Sequence, residues 1–301
     1  TISCELLDYM AYLDGTLGGT LESGILILAE SVSISEAVAA TVANLPKKAI
    51  EIIEINAMPA MVPYDIEKSA GSTTYDVLKE LADLYKNYEF YFDVNGYFRF
   101  TEIKKRMNDP VAWDFSTIPL SLNDSADFNL KNIKNSVWLW GKLWETGSGS
   151  FQATWVYRNR FARQTVAERN NIPSKELGDI CYVRDIQTSF AWNGTTWEEL
   201  DFNVDPDFNI EQIGEKVAVV NGDNVYSYEQ AVINTKFGLL EQSNFAQTVS
   251  FNTVPIYALR PNTKVYLKSE EIGVEGEYLI KTISLPLGLG SSSVQCEKIY
   301  Y

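Results

Sequence analysis

Residues 245–301 read FAQTVSFNTVPIYALRPNTKVYLKSEEIGVEGEYLIKTISLPLGLGSSSVQCEKIYY, and their patterning decides the fold. Phe245, Val249 and Phe251 fall on one face of an extended segment, with Ala246, Thr248, Ser250 and Asn252 on the other. That period of two marks a half-buried strand. Pro255 and Pro261 punctuate the chain, after which Val265 and Leu267 alternate with Lys264, Tyr266 and Lys268. A turn at Gly273–Gly276 leads into the apolar run Tyr278–Leu285, and Gly288–Ser293 turns the chain into a last strand, Val294–Tyr301. Three or four successive strands with short turns predict a small antiparallel barrel or sandwich.

Working outward, the chain that feeds this region is equally patterned. Ser227-x-x-Gln230 reads as a helix start, and Ala231, Val232, Leu239 and Leu240 supply the apolar positions of a helix reaching about Ser243. A short β segment is expected at Lys216–Val220. Before it, Asp201, Asn203, Asp205, Asp207 and Asn209 carry oxygens at alternate positions, as a calcium-binding EF-hand loop begins. Position six is Pro206 instead of glycine and position twelve is Gln212 instead of glutamate, so the expectation is a capping turn and no metal.

The first third predicts a small α+β unit. Ser33-Ile34-Ser35-Glu36 is a capping box, followed by Ala37, Val38, Val42 and Leu45 at helical spacing up to Pro46. Ala49–Met61 reads as a strand through Ile50, Ile52 or Ile53, and Ile55, and then a loop; Ile25–Leu28 reads as a short buried strand. Thr73-x-x-Asp76 opens a second helix whose stripe is Val77, Leu78, Leu81, Leu84 and Tyr85. A hairpin follows: YEFYFDV, Asn95-Gly96, YFRFTEI, with Asn-Gly predicting a type I′ turn. Its aromatics read as core under the helix, with a sugar- or base-stacking platform as the alternative.

The middle is less regular. Ser136–Trp144 (SVWLWGKLW) is strand-like, with Trp138 and Trp140 on one face, and Gly147–Ser150 breaks it. Arg158, Arg160, Arg163 and Arg169 form a basic stretch, read as a solvated face that pairs with acidic neighbours in an assembly, with polyanion binding as the sharper alternative. GDICYVRDIQTSFAWNGTTWEELDF predicts two strands and a second Asn-Gly turn at 193–194.

Composition limits the chemistry. The chain has 301 residues, a formal charge of −15 and no histidine. Missing histidine removes Ser-His-Asp and Cys-His sites and His-ligated zinc. Cys4, Cys181 and Cys296 have no C-x-x-C spacing and read as reduced, buried thiols folded in a reducing cytoplasm. The acidity disfavours nucleic-acid binding and suits either plain solubility or a conduit along which DNA slides. No apolar run is long enough for a membrane helix. The opening Thr1-Ile2-Ser3-Cys4 has no signal-peptide character and starts as if inside a strand, which predicts a longer polypeptide. Carboxylates abound, but no P-loop, dinucleotide fingerprint or nucleophile elbow is present, and no catalytic residue or cofactor is expected.

Three pieces in one order carry a resemblance: TYDVLKELADLYKNYEFYFDVNGYFRF, then NIKNSVWLWG, then SYEQAVINTKFGLLEQ leading to VSFNTVP, KVYLKS and GEYLIKTISLPL. Together they resemble the central tail hub of long-tailed bacteriophages, including baseplate hubs and tail-associated proteins. The likeness covers about 1–145 and 205–301. A shorter pattern, GD-Y-V followed by WNG-W, resembles a β module of phage tail and fibre proteins. The resemblance implies a structural, non-enzymatic virion protein. It would act as a homotrimer that contacts the tail tube, distal tail proteins and a spike or tail-tip protein, and would line part of the DNA path. Assembly would take place in the host cytoplasm, and the final location would be the tail tip or baseplate. An injection machine that is not a phage would share the same physics.

The expected fold is therefore α+β and β-rich, with residues 1–30 ending a truncated N-terminal barrel and 31–115 forming an α+β hub domain. Residues 116–145 and 201–301 would form a barrel-like ring domain carrying an inserted surface module, 146–200. The candidate inter-subunit edges are Phe245–Val254 and Glu277–Leu285, through Val249, Phe251, Tyr278 and Ile280; proline at Val249 would remove a ladder donor. The alternative is a receptor- or carbohydrate-binding tail module using Trp192 and Trp197, or a peptidoglycan-cleaving tail enzyme.

Overall fold

The structure is a computed structural model of the chain, and it describes residues 7–21, 26–28, 30–43, 45, 53–55, 60–106, 108–116, 133–146, 149–243, 248–269, 273–286, 288 and 290–299. A 3-10 turn at Tyr9–Tyr12 precedes β1 (Leu26–Leu28), α1 (Ile34–Ala43), β2 (Ile53–Ile55), β3 (Ile66–Lys68) and α2 (Thr74–Asp83). Then come β4 (Tyr88–Phe92), β5 (Phe98–Glu102), β6 (Trp113–Asp114), β7 (Ser136–Gly141), β8 (Trp144–Thr146) and β9 (Gly149–Phe151). The middle holds β10 (Thr154–Arg163), α3 (Val166–Asn170), β11 (Asp179–Val183), β12 (Thr188–Trp192) and β13 (Trp197–Glu199). After α4 (Ile210–Ile213) come β14 (Val217–Gly222), α5 (Tyr228–Ser243), β15 (Thr248–Thr253), β16 (Lys264–Ser269), β17 (Val274–Ser284) and β18 (Ser292–Lys298).

The chain divides into two units. One comprises Thr1–Ile103, Leu139–Thr154 and Asn221–Phe237; the other comprises Lys104–Trp138, Trp155–Val220 and Gly238–Tyr301. The fold is α+β and rich in strands, as the patterning predicts. Among the described residues, however, none of the sheets closes into a barrel. Closure needs the terminal strands to pair with each other. The C-terminal sheet instead ends in β15 on one side and the two-residue β6 on the other.

In the first unit, α1 and α2 pack over the sheet β2-β5-β4. Ser33 and Glu36 close the predicted capping box: Glu36 N–H donates to Ser33 Oγ (3.2 Å) and Ser33 N–H to Glu36 Oε2 (3.3 Å). Thr73 and Asp76 do the same for α2, at 3.1 and 2.9 Å. The shorter aspartate therefore suffices, and the Thr73 N–H (2.9 Å) and hydroxyl (2.8 Å), both donating to Asp76 Oδ2, hold its carboxyl below the usual range. Val77, Leu78, Leu81 and Leu84 are wholly buried against Ile34, Val38, Phe98 and Phe100. Phe98 and Phe100 are core, and Tyr88, Phe90 and Phe92 pack partly buried against it. Residues 46–50, with Pro46 and Ile50, and Ile52 lie outside the described residues.

The hairpin turn departs from the expected type I′ form. Gly96 has φ +81°, but Asn95 is not among the residues with positive φ. Asp93 accepts the N–H groups of Asn95 (2.9 Å) and Tyr97 (3.0 Å) on its carboxylate, and its C=O takes Gly96 N–H at 2.9 Å. A side chain has organised the turn, so only the glycine needs the left-handed conformation.

Apart from the ends of β7, β10 and β14, the six-stranded sheet β13-β12-β11-β10-β7-β14 belongs to the second unit, as does the five-stranded sheet β15-β18-β17-β16-β6. In the first sheet β10 and β11 run parallel, and β11, β12 and β13 form an antiparallel meander. The segment read as two strands is thus three. The face of β7 is reversed in importance: Val137 and Leu139 are buried, while Trp140 is exposed. At Gly238 a Cβ would lie 2.9 Å from Val220 Cγ2, so only glycine allows the helix this close to the sheet.

Candidate assembly edges

The C-terminal sheet forms its own core. Val249, Phe251, Val265, Leu267, Val274, Tyr278, Ile280, Val294 and Cys296 pack around Phe115, whose ring meets Phe251 edge-on at 5.1 Å. The predicted strands are present over the described residues, with Val249, Phe251, Val265 and Leu267 facing inward. The expected edges require correction. β17, which carries Tyr278 and Ile280, lies between β16 and β18: Val274–Leu279 pair with β16 and Tyr278–Ser284 with β18. Both residues are wholly buried, and Ile280 also bonds through its backbone to Asn262 (2.7 Å) and Thr263 (3.0 Å). The apolar run that made 277–285 look like an interface strand is apolar because it is central. β15, with Val249 and Phe251 pointing into the core, lies at the end of the sheet among the described residues. Its outer face is Thr248, Ser250 and Asn252, all half-buried. Phe245 to Gln247 lie outside the described residues.

The six-stranded sheet ends in two very different strands. β13 has three residues and closes on Glu198 and Glu199, both exposed. Short, charged edges of this sort resist pairing. Trp192 and Trp197 are directly opposed across β12 and β13, with rings 5.5 Å apart in a T-shape. Lys175 Nζ sits over Trp192 at 4.4 Å, and Trp197 packs on Phe161, Ile172, Cys181 and Val183. β14, at the other end, exposes Val217 and Val219.

Between these edges the arginines of β10 find acids in their own chain. Asp179 has no exposed side-chain surface, and Arg160 reaches it at 2.8 Å and Arg158 at 3.7 Å. Burial pushes the Asp179 carboxyl up, against the pull of the Glu176 N–H and the two arginines. Arg163 holds Glu211 with two bonds, 2.6 and 2.9 Å. Arg169 is buried and stacks over Phe190 at 4.1 Å. Arg158, Arg160 and Arg163 thus pair within the chain, and Arg169 is held by Asn170 and Phe190.

The oxygens of the acidic loop are also engaged. Asp205 caps the 3-10 turn Pro206–Phe208, Asn209 caps α4, Asp207 pairs with Arg184 (2.9 Å), Asp201 pairs with Lys105, and Asn203 accepts Ser189 N–H (3.0 Å). Cys181 and Cys296 are buried free thiols that burial pushes up to about 12; Cys4 lies outside the described residues.

Sequence patterning missed Asn135. It is wholly buried, donates to Phe208 C=O (3.1 Å) and Gly214 C=O (2.8 Å), and accepts Lys216 N–H (2.7 Å). This one side chain ties the start of β7 to the start of β14. The signal available was a lone asparagine before a strand, and that is too common to single out.

No protein-family model matches the chain, and no curated protein does. Solved structures do. The 43 kDa tail protein of prophage MuSo2 from Shewanella oneidensis aligns at TM-score 0.53 and 12% identity, over 97% of this chain and 72% of that one. The tail protein from Neisseria meningitidis MC58 aligns at 0.52 and 12%, over 91% and 68%. The prophage tail protein gp18 from Listeria monocytogenes EGD-e aligns at 0.50 and 10%, over 94% and 68%. At these identities the likeness establishes a shared fold.

Proposed function

We propose that this chain is a structural tail protein of a phage or phage-like particle. In this reading it assembles as a trimeric hub that joins the tail tube to the tip or spike and surrounds part of the DNA path. The observation that carries the reading is the extent of the shared fold: more than nine-tenths of the chain follows three separate tail proteins. Two physical features support it. Among the described residues the five-stranded sheet ends in β15, whose outer face is polar and half-buried, and a strand edge of this kind is consumed when subunits pair into a ring. A net charge of −15 opposes sticking to DNA phosphates.

Mass in solution by light scattering across a wide concentration range is the test. A trimer is expected. The double variant Ser250→Lys, Asn252→Lys places two lysines on the outer face of β15, where they blunt an edge without touching the core, and is expected to yield monomers with unchanged circular dichroism. Wild-type protein that stays monomeric at every concentration, or a trimer unaffected by the two lysines, would overturn ring formation through β15.

A further inference from the structure

Among the described residues, the six-stranded sheet is blunted at one end and bare at the other. β14 exposes Val217 at 46% and Val219 at 67%, on a strand with no proline. Valine is a residue that edges normally avoid, because an open ladder flanked by apolar side chains templates further pairing.

The direction of the open ladder follows from the bonds β14 already makes. Ser136 N–H donates to Lys216 C=O (3.2 Å), and at the far end Lys142 N–H donates to Gly222 C=O (3.3 Å). The even-numbered residues of β14 therefore face β7. The N–H and C=O groups of Val217 and Val219 point the other way, off the sheet. Asn135 locks this register by holding Lys216 N–H at 2.7 Å.

We propose that β14 is an isologous pairing edge whose occupant is β14 of a second copy, antiparallel about Ala218. Self-complementarity selects the occupant. With Ala218 on the two-fold axis, Val217 of one copy opposes Val219 of the other, and the reverse holds on the far side. Those residues are the ones whose backbone groups point outward, so both valine pairs become hydrogen-bonded pairs. The axial pair is then the closely spaced non-hydrogen-bonded kind, where a small alanine fits. No like charges oppose: Lys216 meets Val220 and Glu215 meets Asn221. The other end of the sheet is a poor occupant, since β13 offers three residues ending in two glutamates. This edge lies in a different sheet from β15, and the inference does not rest on the ring.

Two six-residue strands bury less than the roughly 800 Å² per partner of a standard interface, so a covalent trap is the appropriate readout. In a Cys4→Ser background, Ala218→Cys under oxidised glutathione is expected to give a disulfide-linked dimer about ten-fold faster than the exposed control Ser174→Cys, because the pair is already opposed. Mixing Val217→Cys with Val219→Cys is expected to give the mixed dimer ahead of either homodimer. Val219→Lys should abolish trapping through Ala218→Cys, whereas Ser250→Lys with Asn252→Lys should leave it unchanged. Trapping of Ala218→Cys no faster than the control, in protein with native circular dichroism, would overturn the pairing; so would a preference for Val219 homodimers. Loss of trapping in the β15 variant alone would assign the contact to the ring instead.

Discussion

The hydroxyl of Thr73 and the carboxylate of Asp76 close the start of α2 at 3.1 and 2.9 Å, and the helix they start is the centre of the first unit's core. Thr73→Ala should lower stability by about 1 kcal/mol, measured as a shift in the urea midpoint with an unchanged slope. Burial acts on a second set of single residues. The thiols of Cys181 and Cys296 and the phenol of Tyr278 are each pushed up to about 12, against 9.0 for a free thiol and 10.0 for a free phenol. All three are neutral in the folded chain, while the unfolded chain releases these protons at lower pH. Their folded values are raised, so their contribution is fully present below about pH 9 and is lost as pH climbs toward 12. The denaturant midpoint should fall across that window, and a flat profile would contradict the burial of these groups. Both caps were legible in the sequence, since a capping box is local chemistry. The role of Asn135 was not, because its partners lie about eighty positions away.

Elements show the same division between local and distant causes. α1, α2, α5 and the four C-terminal strands come from periodicity and emerged where the pattern placed them, whereas the short α3 and α4 had no such signal. The Asn95-Gly96 hairpin formed, but with a different turn, because Asp93 captured two N–H groups of the loop. β17 was misjudged as an edge for a reason that is general: an apolar run reports burial, and a strand is buried by flanking strands as readily as by a partner subunit. The arginines of β10 illustrate what register decides. Alternation puts Arg158 and Arg160 on one face, and the parallel pairing with β11 brings Asp179 under them. Arg160→Leu should cost about 2 kcal/mol, because a buried carboxylate loses its closer cation while Arg158 remains. The loss should shrink in Arg160→Leu, Asp179→Asn, read by a double-mutant cycle in urea.

At the scale of the molecule, charge and strand edges set the terms. A charge of −15 makes copies repel, so any assembly through β14 or β15 should strengthen with added salt as screening shortens the range of that repulsion. Light scattering in low and high salt would show this as a rising mass, and assembly that weakened with salt would point to charge pairing instead of strand pairing. Trp192 and Trp197 look like an exposed pair in the sequence, yet in the fold one lies under Lys175 and the other rests on a buried cluster. Sequence by itself determined the α+β class, the caps, the aromatic hairpin and the inward faces of the C-terminal strands, since these depend on neighbours within a few residues. Only the tertiary structure decided that, among the described residues, the sheets stay open, that β17 lies between two strands while β14 and β15 are terminal, and that the arginines of β10 pair with acids of the same chain. Each of those depends on which distant strand lies alongside, and that is fixed by long-range pairing and by buried side chains such as Asn135.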